Sequence, residues 1–104
     1  MKFNQNNDKY IWTKHALQKM QFYALSENRI KRIIKFPKRI EESIVPNCIA
    51  VMQPTTTKKY SEIWSIYKIE NKKIKIITAW RYPGKSSARN PIPIDIMNEI
   101  KELI

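Results

Sequence analysis

The chain has little of what most catalytic sites are built from. Its 104 residues hold one cysteine, one histidine and one glycine. A single cysteine excludes an intrachain disulfide, so the core must hold without a covalent staple, as suits a reducing cytosol. Cys48 lies in the apolar run Cys48-Ile49-Ala50-Val51-Met52 and reads as a small buried hydrophobe rather than a catalytic thiol. One histidine, one cysteine and scattered acids do not make a zinc site, and no metal or cofactor is expected. With only Gly84, neither a phosphate-cradling glycine loop nor a dinucleotide fingerprint can be written. No stretch approaches the ~20 apolar residues of a membrane span. Residues 1–8 are polar, without the apolar centre of a secretory leader. These absences predict one cytoplasmic domain over 1–104, with 1–9 as a flexible tail and no membrane partner.

What is abundant is positive charge. Twenty Lys and Arg stand against nine Asp and Glu, a formal net charge of +11. The last ten residues hold Asp95, Glu99 and Glu102 against Lys101 alone, so the excess of base lies in the rest of the chain. Such a body attracts polyanions, phosphate backbones first. Three Trp, five Tyr and three Phe within a 42% hydrophobic composition supply a core that disordered chains lack.

The periodicity changes once along the chain. Thr13 is placed to cap a helix over 14–23, with Ala16, Leu17, Met20 and Tyr23 as its apolar stripe. Ser26 caps a second helix over 27–35, apolar through Ile30, Ile33 and Ile34 and basic outside. Phe36-Pro37 ends it, because the residue before proline disfavours helix. Four strands follow, over 39–45, 47–53, 60–70 and 73–81, with turns at Pro46-Asn47 and Asn71-Lys72. In the last strand, alternation puts Ile74, Ile76, Thr78 and Trp80 on one face, and Lys75, Ile77, Ala79 and Arg81 on the other. A basic loop holds Gly84, where a positive φ or a close approach is expected, and Asp95 caps a closing helix. The predicted fold is α+β: two N-terminal helices, an antiparallel meander of about four strands with the helices on one side, and a C-terminal helix.

The candidate chemistry is phosphate-directed. Metal-free RNA cleavage needs a group to take the 2′-hydroxyl proton, another to protonate the leaving oxygen, and cations to hold the phosphate. His15 is the only residue that titrates near neutrality by nature. Lys19, one helical turn on, is expected to lower its pKa by repulsion. Arg81 and Lys85 complete the proposed catalytic set. Arg39 and Arg89 are candidate phosphate contacts, and Trp80 and Tyr82 candidate stacking platforms. Each has a plainer reading: a surface histidine, a solvated lysine, core tryptophans.

Residues 15–26, His-Ala-Leu-Gln-Lys-Met-Gln-Phe-Tyr-Ala-Leu-Ser, resemble a small bacterial family of unknown function. That family opens with a His-Ala-x-x-Arg-Met-x-x-Arg-Gly-Ile-Ser helix and turn. His15, Ala16, Met20 and Ser26 match. Lys19 stands for the first Arg, Tyr23 for the second, Ala24 for Gly and Leu25 for Ile. The family resembles the BrnT toxins and the RelE and barnase-like ribonuclease fold. The resemblance implies a metal-independent endoribonuclease of toxin–antitoxin type acting on RNA or ribosome-bound mRNA, with an acidic antitoxin as partner. The alternatives are a nucleic-acid-binding module without chemistry and a basic protein that docks an acidic one.

Overall fold

The computed structural model describes residues 9–43, 46–55, 58–87 and 92–103. The chain order is β1 (Tyr10–Trp12), α1 (Lys14–Phe22), α2 (Glu27–Lys35), β2 (Arg39–Glu42), β3 (Ile49–Thr55), β4 (Ser61–Glu70), β5 (Lys73–Pro83) and α3 (Ile94–Leu103). The strands form one sheet in the order β1-β5-β4-β3-β2. β2 to β5 are the antiparallel meander. β1, not among the predicted elements, is a fifth strand and pairs parallel with β5, Trp12 opposite Ile76. Three residues are too few to show a period. The expected tail over 1–9 falls mostly outside the described residues.

Both N-terminal caps form as predicted. Thr13 accepts from the Ala16 amide and Ser26 from the Arg29 amide. Between the helices the chain reverses in a Schellman turn, with Leu25 N–H bonded to Met20 O at 2.7 Å and Ala24 N–H to Gln21 O at 3.2 Å. Ala24 holds the left-handed position of that turn at φ 57°, where the resembling family carries glycine. β3 runs two residues past its predicted end, through Pro54 and Thr55. β2 stops opposite Met52, so Pro54 sits where β3 is an edge, a place proline tolerates. β2 itself ends at Glu42; Ile44 and Val45 lie outside the described residues. Asn71 and Lys72 both take positive φ, the hairpin geometry of a primed turn. Gly84 has φ +78° with nothing near its missing side chain, so conformation rather than close approach selects it. α3 begins one residue before the predicted Asp95 cap; the Pro93 carbonyl takes its first hydrogen bond, from Met97, and Asp95 stands in the first turn.

The sheet has helices on both faces, not one. Ala16, Met20, Leu25, Ile30 and Ile33 pack with Val51, Ile63, Ile76 and Ala79. On the opposite face Ile96 and Ile100 of α3 pack with Ala50, Met52, Trp64, Ile66, Ile77 and Trp80. Burial removes roughly 1.5–3 kcal/mol of exposure cost per large aliphatic side chain, so two covered faces explain the near-continuous apolar runs of β3 and β4. Cys48 is buried with the α3 group. The strict alternation expected of β5 fails at one place. Ile66 pairs with Thr78 but Tyr67 pairs with Ile76, leaving Ile77 as the extra residue of a bulge. The bulge shifts the later residues by one, so Trp80 and Ile77 share the α3 face while Ile76 and Ala79 share the other.

Candidate functional site

β1 ends opposite Ile76, so among the described residues β5 beyond that point has a strand only on its β4 side. The start of α1 takes the vacant edge. Thr13 Oγ1 donates to Ile76 O at 2.7 Å, and His15 Nε2 lies 3.1 Å from Thr78 Oγ1. From the other side of the sheet α3 brings Glu99, whose Oε1 is 3.0 Å from Lys19 Nζ and 3.9 Å from His15 Nε2. His15 and Lys19 therefore do share a site, on successive turns of α1, with Glu99 and Thr78 as neighbours. The side chains of His15 and Lys19 retain 17% and 21% exposure, which leaves the group reachable from solvent.

The His15 pKa lies below its ordinary 6.5. Burial is the main cause. Glu99 opposes it, and Lys19, the cause expected from the helical spacing, adds a smaller push downward. A neutral imidazole at physiological pH can accept a proton. The tautomer that donates from Nε2 to Thr78 leaves Nδ1 as the acceptor.

The other predicted residues go elsewhere. Arg39 is tied to a buried acid. Glu62 is 0% exposed and accepts from Trp64 Nε1 at 3.0 Å, Tyr60 Oη at 3.2 Å and both the amide and hydroxyl of Ser86. Arg39 Nη1 stands 3.9 Å from Glu62, its Nη2 is 3.0 Å from Glu41, and the guanidinium lies over the Trp64 ring at 5.1 Å. It also donates to Ser86 and to the Ser87 carbonyl. That network fastens the loop after β5 to the sheet, so Arg39 is a structural cation here. Trp80 is 1% exposed and stacks on Trp64 with centroids 5.8 Å apart and planes 2° from parallel. It offers no face to a base, and its place is in the core. Tyr82 is half-buried against the α3 group. Lys85 is exposed on the fastened loop, and Arg89 lies outside the described residues. Arg81 donates through Nη2 to the Tyr23 carbonyl at 3.3 Å. Among the described residues no hydrogen bond or ion pair joins Arg81 or Lys85 to His15.

Glu99 and Thr78 were not foreseen as site residues. Glu99 reaches His15 from another helix 84 positions along the chain, and Thr78 reaches it through a bulge. Neither has a local signal. Among the described residues no helix is long and apolar enough to cross a membrane. Comparison with protein families, curated proteins and solved structures returns no match for this chain. The fold and the site together define a small basic α+β domain with one histidine-centred group at the edge of its sheet.

Proposed function

We propose that this domain acts on RNA as a metal-independent endoribonuclease of toxin–antitoxin type, with His15 as its proton acceptor. The observation that carries the reading is the placement of the only histidine: neutral by burial, braced by Thr78, and set beside a lysine and a carboxylate at a solvent-reachable edge. His15 takes the proton of a 2′-hydroxyl, and that oxygen bonds to the adjacent phosphorus. The 5′-oxygen leaves with a proton from Lys19, one helical turn from His15, and a 2′,3′-cyclic phosphate remains. The RelE and BrnT likeness of the α1 motif and the element order support the same reading, and an acidic antitoxin would cover the basic surface.

The test is incubation of the purified protein with mixed-sequence RNA in EDTA, beside His15→Ala and Glu99→Gln. The reading requires cutting by the wild type and a loss of roughly 10²-fold or more in folded His15→Ala. RNA that is bound but left whole, on its own and on translating ribosomes, ends it. A second reading, RNA binding without chemistry, is favoured by one ion pair: Lys19 is already matched with Glu99 at 3.0 Å, which reduces its pull on a phosphate. Affinity unchanged in His15→Ala, with no cleavage, selects that reading.

A further inference from the structure

The described cations that are partly withdrawn from solvent mostly have an acid beside them. Lys19 has Glu99, Arg39 has Glu41 and Glu62, and Lys68 and Lys75 share Glu70. Lys31 lies instead over the Tyr10 ring, 5.1 Å from its centroid, and Arg29 and Arg81 have neither an acid nor a ring beside them. Both are half-buried and, among the described residues, neither has a carboxylate within salt-bridge distance. Both line one pocket of about 350 Å³, formed with the Ala24–Ser26 turn, Thr55 and Ile63.

Each guanidinium is held by neutral acceptors through one nitrogen. Arg29 Nη1 donates to Gln53 Oε1. Gln53 is itself fixed, its Nε2 donating to Phe36 O at 2.8 Å and Arg32 O at 3.3 Å. Arg81 Nη2 donates to Tyr23 O. Among the described residues no other acceptor takes the remaining donors of either fork, and a ligand can use them. Burial, then the charges of Arg32 and Arg81, lower the pKa of Arg29, and an anion in the pocket would oppose all three. The first turn of α2 opens beside the pocket at Ser26, adding the positive end of its backbone dipole. Its one acid, Glu27, is exposed and does not line the pocket.

We infer that the pocket between Arg29 and Arg81 is a phosphate-binding site, holding a backbone phosphate of a single-stranded RNA. Two planar forks set on rigid elements suit a tetrahedral oxyanion with several acceptors. The site is separate from His15, so it grips the strand rather than the reacting phosphate. It deepens the RNA-directed reading only in naming RNA as the source of the phosphate.

The experiment uses a 2′-O-methyl oligoribonucleotide, which lacks the attacking hydroxyl and so reports binding alone. Its affinity is measured over a range of salt for wild type, Arg29→Gln, Arg81→Gln, the double variant, His15→Gln and Lys72→Gln, with folding checked by circular dichroism. Inorganic phosphate is titrated in parallel while the arginine Nε–H signals are followed by NMR. The double variant should bind at least tenfold more weakly at low salt. Its salt slope should shrink by about 0.7 for each phosphate no longer neutralised, while Lys72→Gln, at the opposite end of the sheet, gives the baseline for simple charge removal. Phosphate should move the signals of Arg29 and Arg81. A folded double variant that matches Lys72→Gln, together with unmoved arginine signals, overturns the site. Moved signals with unchanged oligonucleotide binding uphold the phosphate site and overturn RNA as its source. Loss of cleavage in His15→Ala bears on the catalytic reading alone, since the 2′-O-methyl oligoribonucleotide reports binding without chemistry.

Discussion

His15 is a convenient reporter because no other histidine overlaps its resonances. Its folded pKa is below 6.5 because burial disfavours the imidazolium more than Glu99 favours it. Removing the carboxylate in Glu99→Gln should lower the midpoint further, and removing the ammonium in Lys19→Met should raise it; an NMR titration of the ring protons reads both. A ribonuclease using neutral His15 should gain activity as pH rises through that midpoint and level off above it. Because the folded value is depressed, the linked stability is present above the unfolded value of about 6.5 and is lost as pH falls through the folded value. Glu62 is the second residue with a sharp prediction. Burial raises its pKa, and hydrogen bonds from Ser86, Trp64 and Tyr60 outweigh that, leaving it below 4.5. Its contribution to stability is therefore full above about pH 4.5 and falls away as pH drops through the folded value. Glu62→Gln puts an amide against Arg39 and should cost about 3 kcal/mol in chemical denaturation, with a flatter acid limb. An unchanged midpoint would mean that the network around Ser86 is not holding the loop.

At the scale of the elements, the turn between α1 and α2 stores a small strain. Ala24 holds φ 57° without the freedom of glycine, and a left-handed alanine costs roughly 1 kcal/mol. Ala24→Gly should raise stability by up to about that amount, read as a higher denaturation midpoint at unchanged slope. Much of this architecture was legible in advance because its signals are local. Thr13 and Ser26 announce the helix starts, Phe36-Pro37 announces a stop, and Asn71-Lys72 a hairpin. What could not be read depends on non-local pairing. β1 is a strand only because β5 lies beside it, and the bulge at Ile77 exists only in the register between β4 and β5. That bulge overrode the expected alternation and turned Thr78 and Trp80 toward the α3 face. The candidate site was legible to the same degree. His15 and Lys19 lie a turn apart on one helix, so their proximity follows from the helical period. Glu99 and the Arg29–Arg81 pair come from separate elements and needed the tertiary fold.

Across the whole molecule the charge is not spread evenly along the sheet axis. Thr55 pairs with Ser61 and Ser61 with Pro83, so the end of β3, the start of β4 and the end of β5 meet at one rim. Lys58, Lys59 and Lys85 are exposed on the segments at that rim, and Arg81 stands two residues inside it, lining one pocket with Arg29. The opposite rim, at the Asn71-Lys72 turn, exposes Lys72 and Lys73 as well, but there Glu70 lies between Lys68 and Lys75 and Glu42 stands exposed where β2 ends beside β3, so acids partly offset its cations. On the proposed RNA-directed reading, this field would steer a polyanion to the Lys58–Lys59 rim, and association steered in this way slows steeply with added salt. Lys58→Gln combined with Lys59→Gln should therefore slow association with single-stranded RNA several-fold at low salt and leave dissociation nearly unchanged. Lys72→Gln combined with Lys73→Gln removes the same charge from the far rim and should have a much smaller effect. Stopped-flow association at two ionic strengths separates the cases. Equal slowing by the two pairs would mean that net charge alone attracts the strand, whereas a selective effect of Lys58 and Lys59 places its entry at the rim that leads to Arg29 and Arg81.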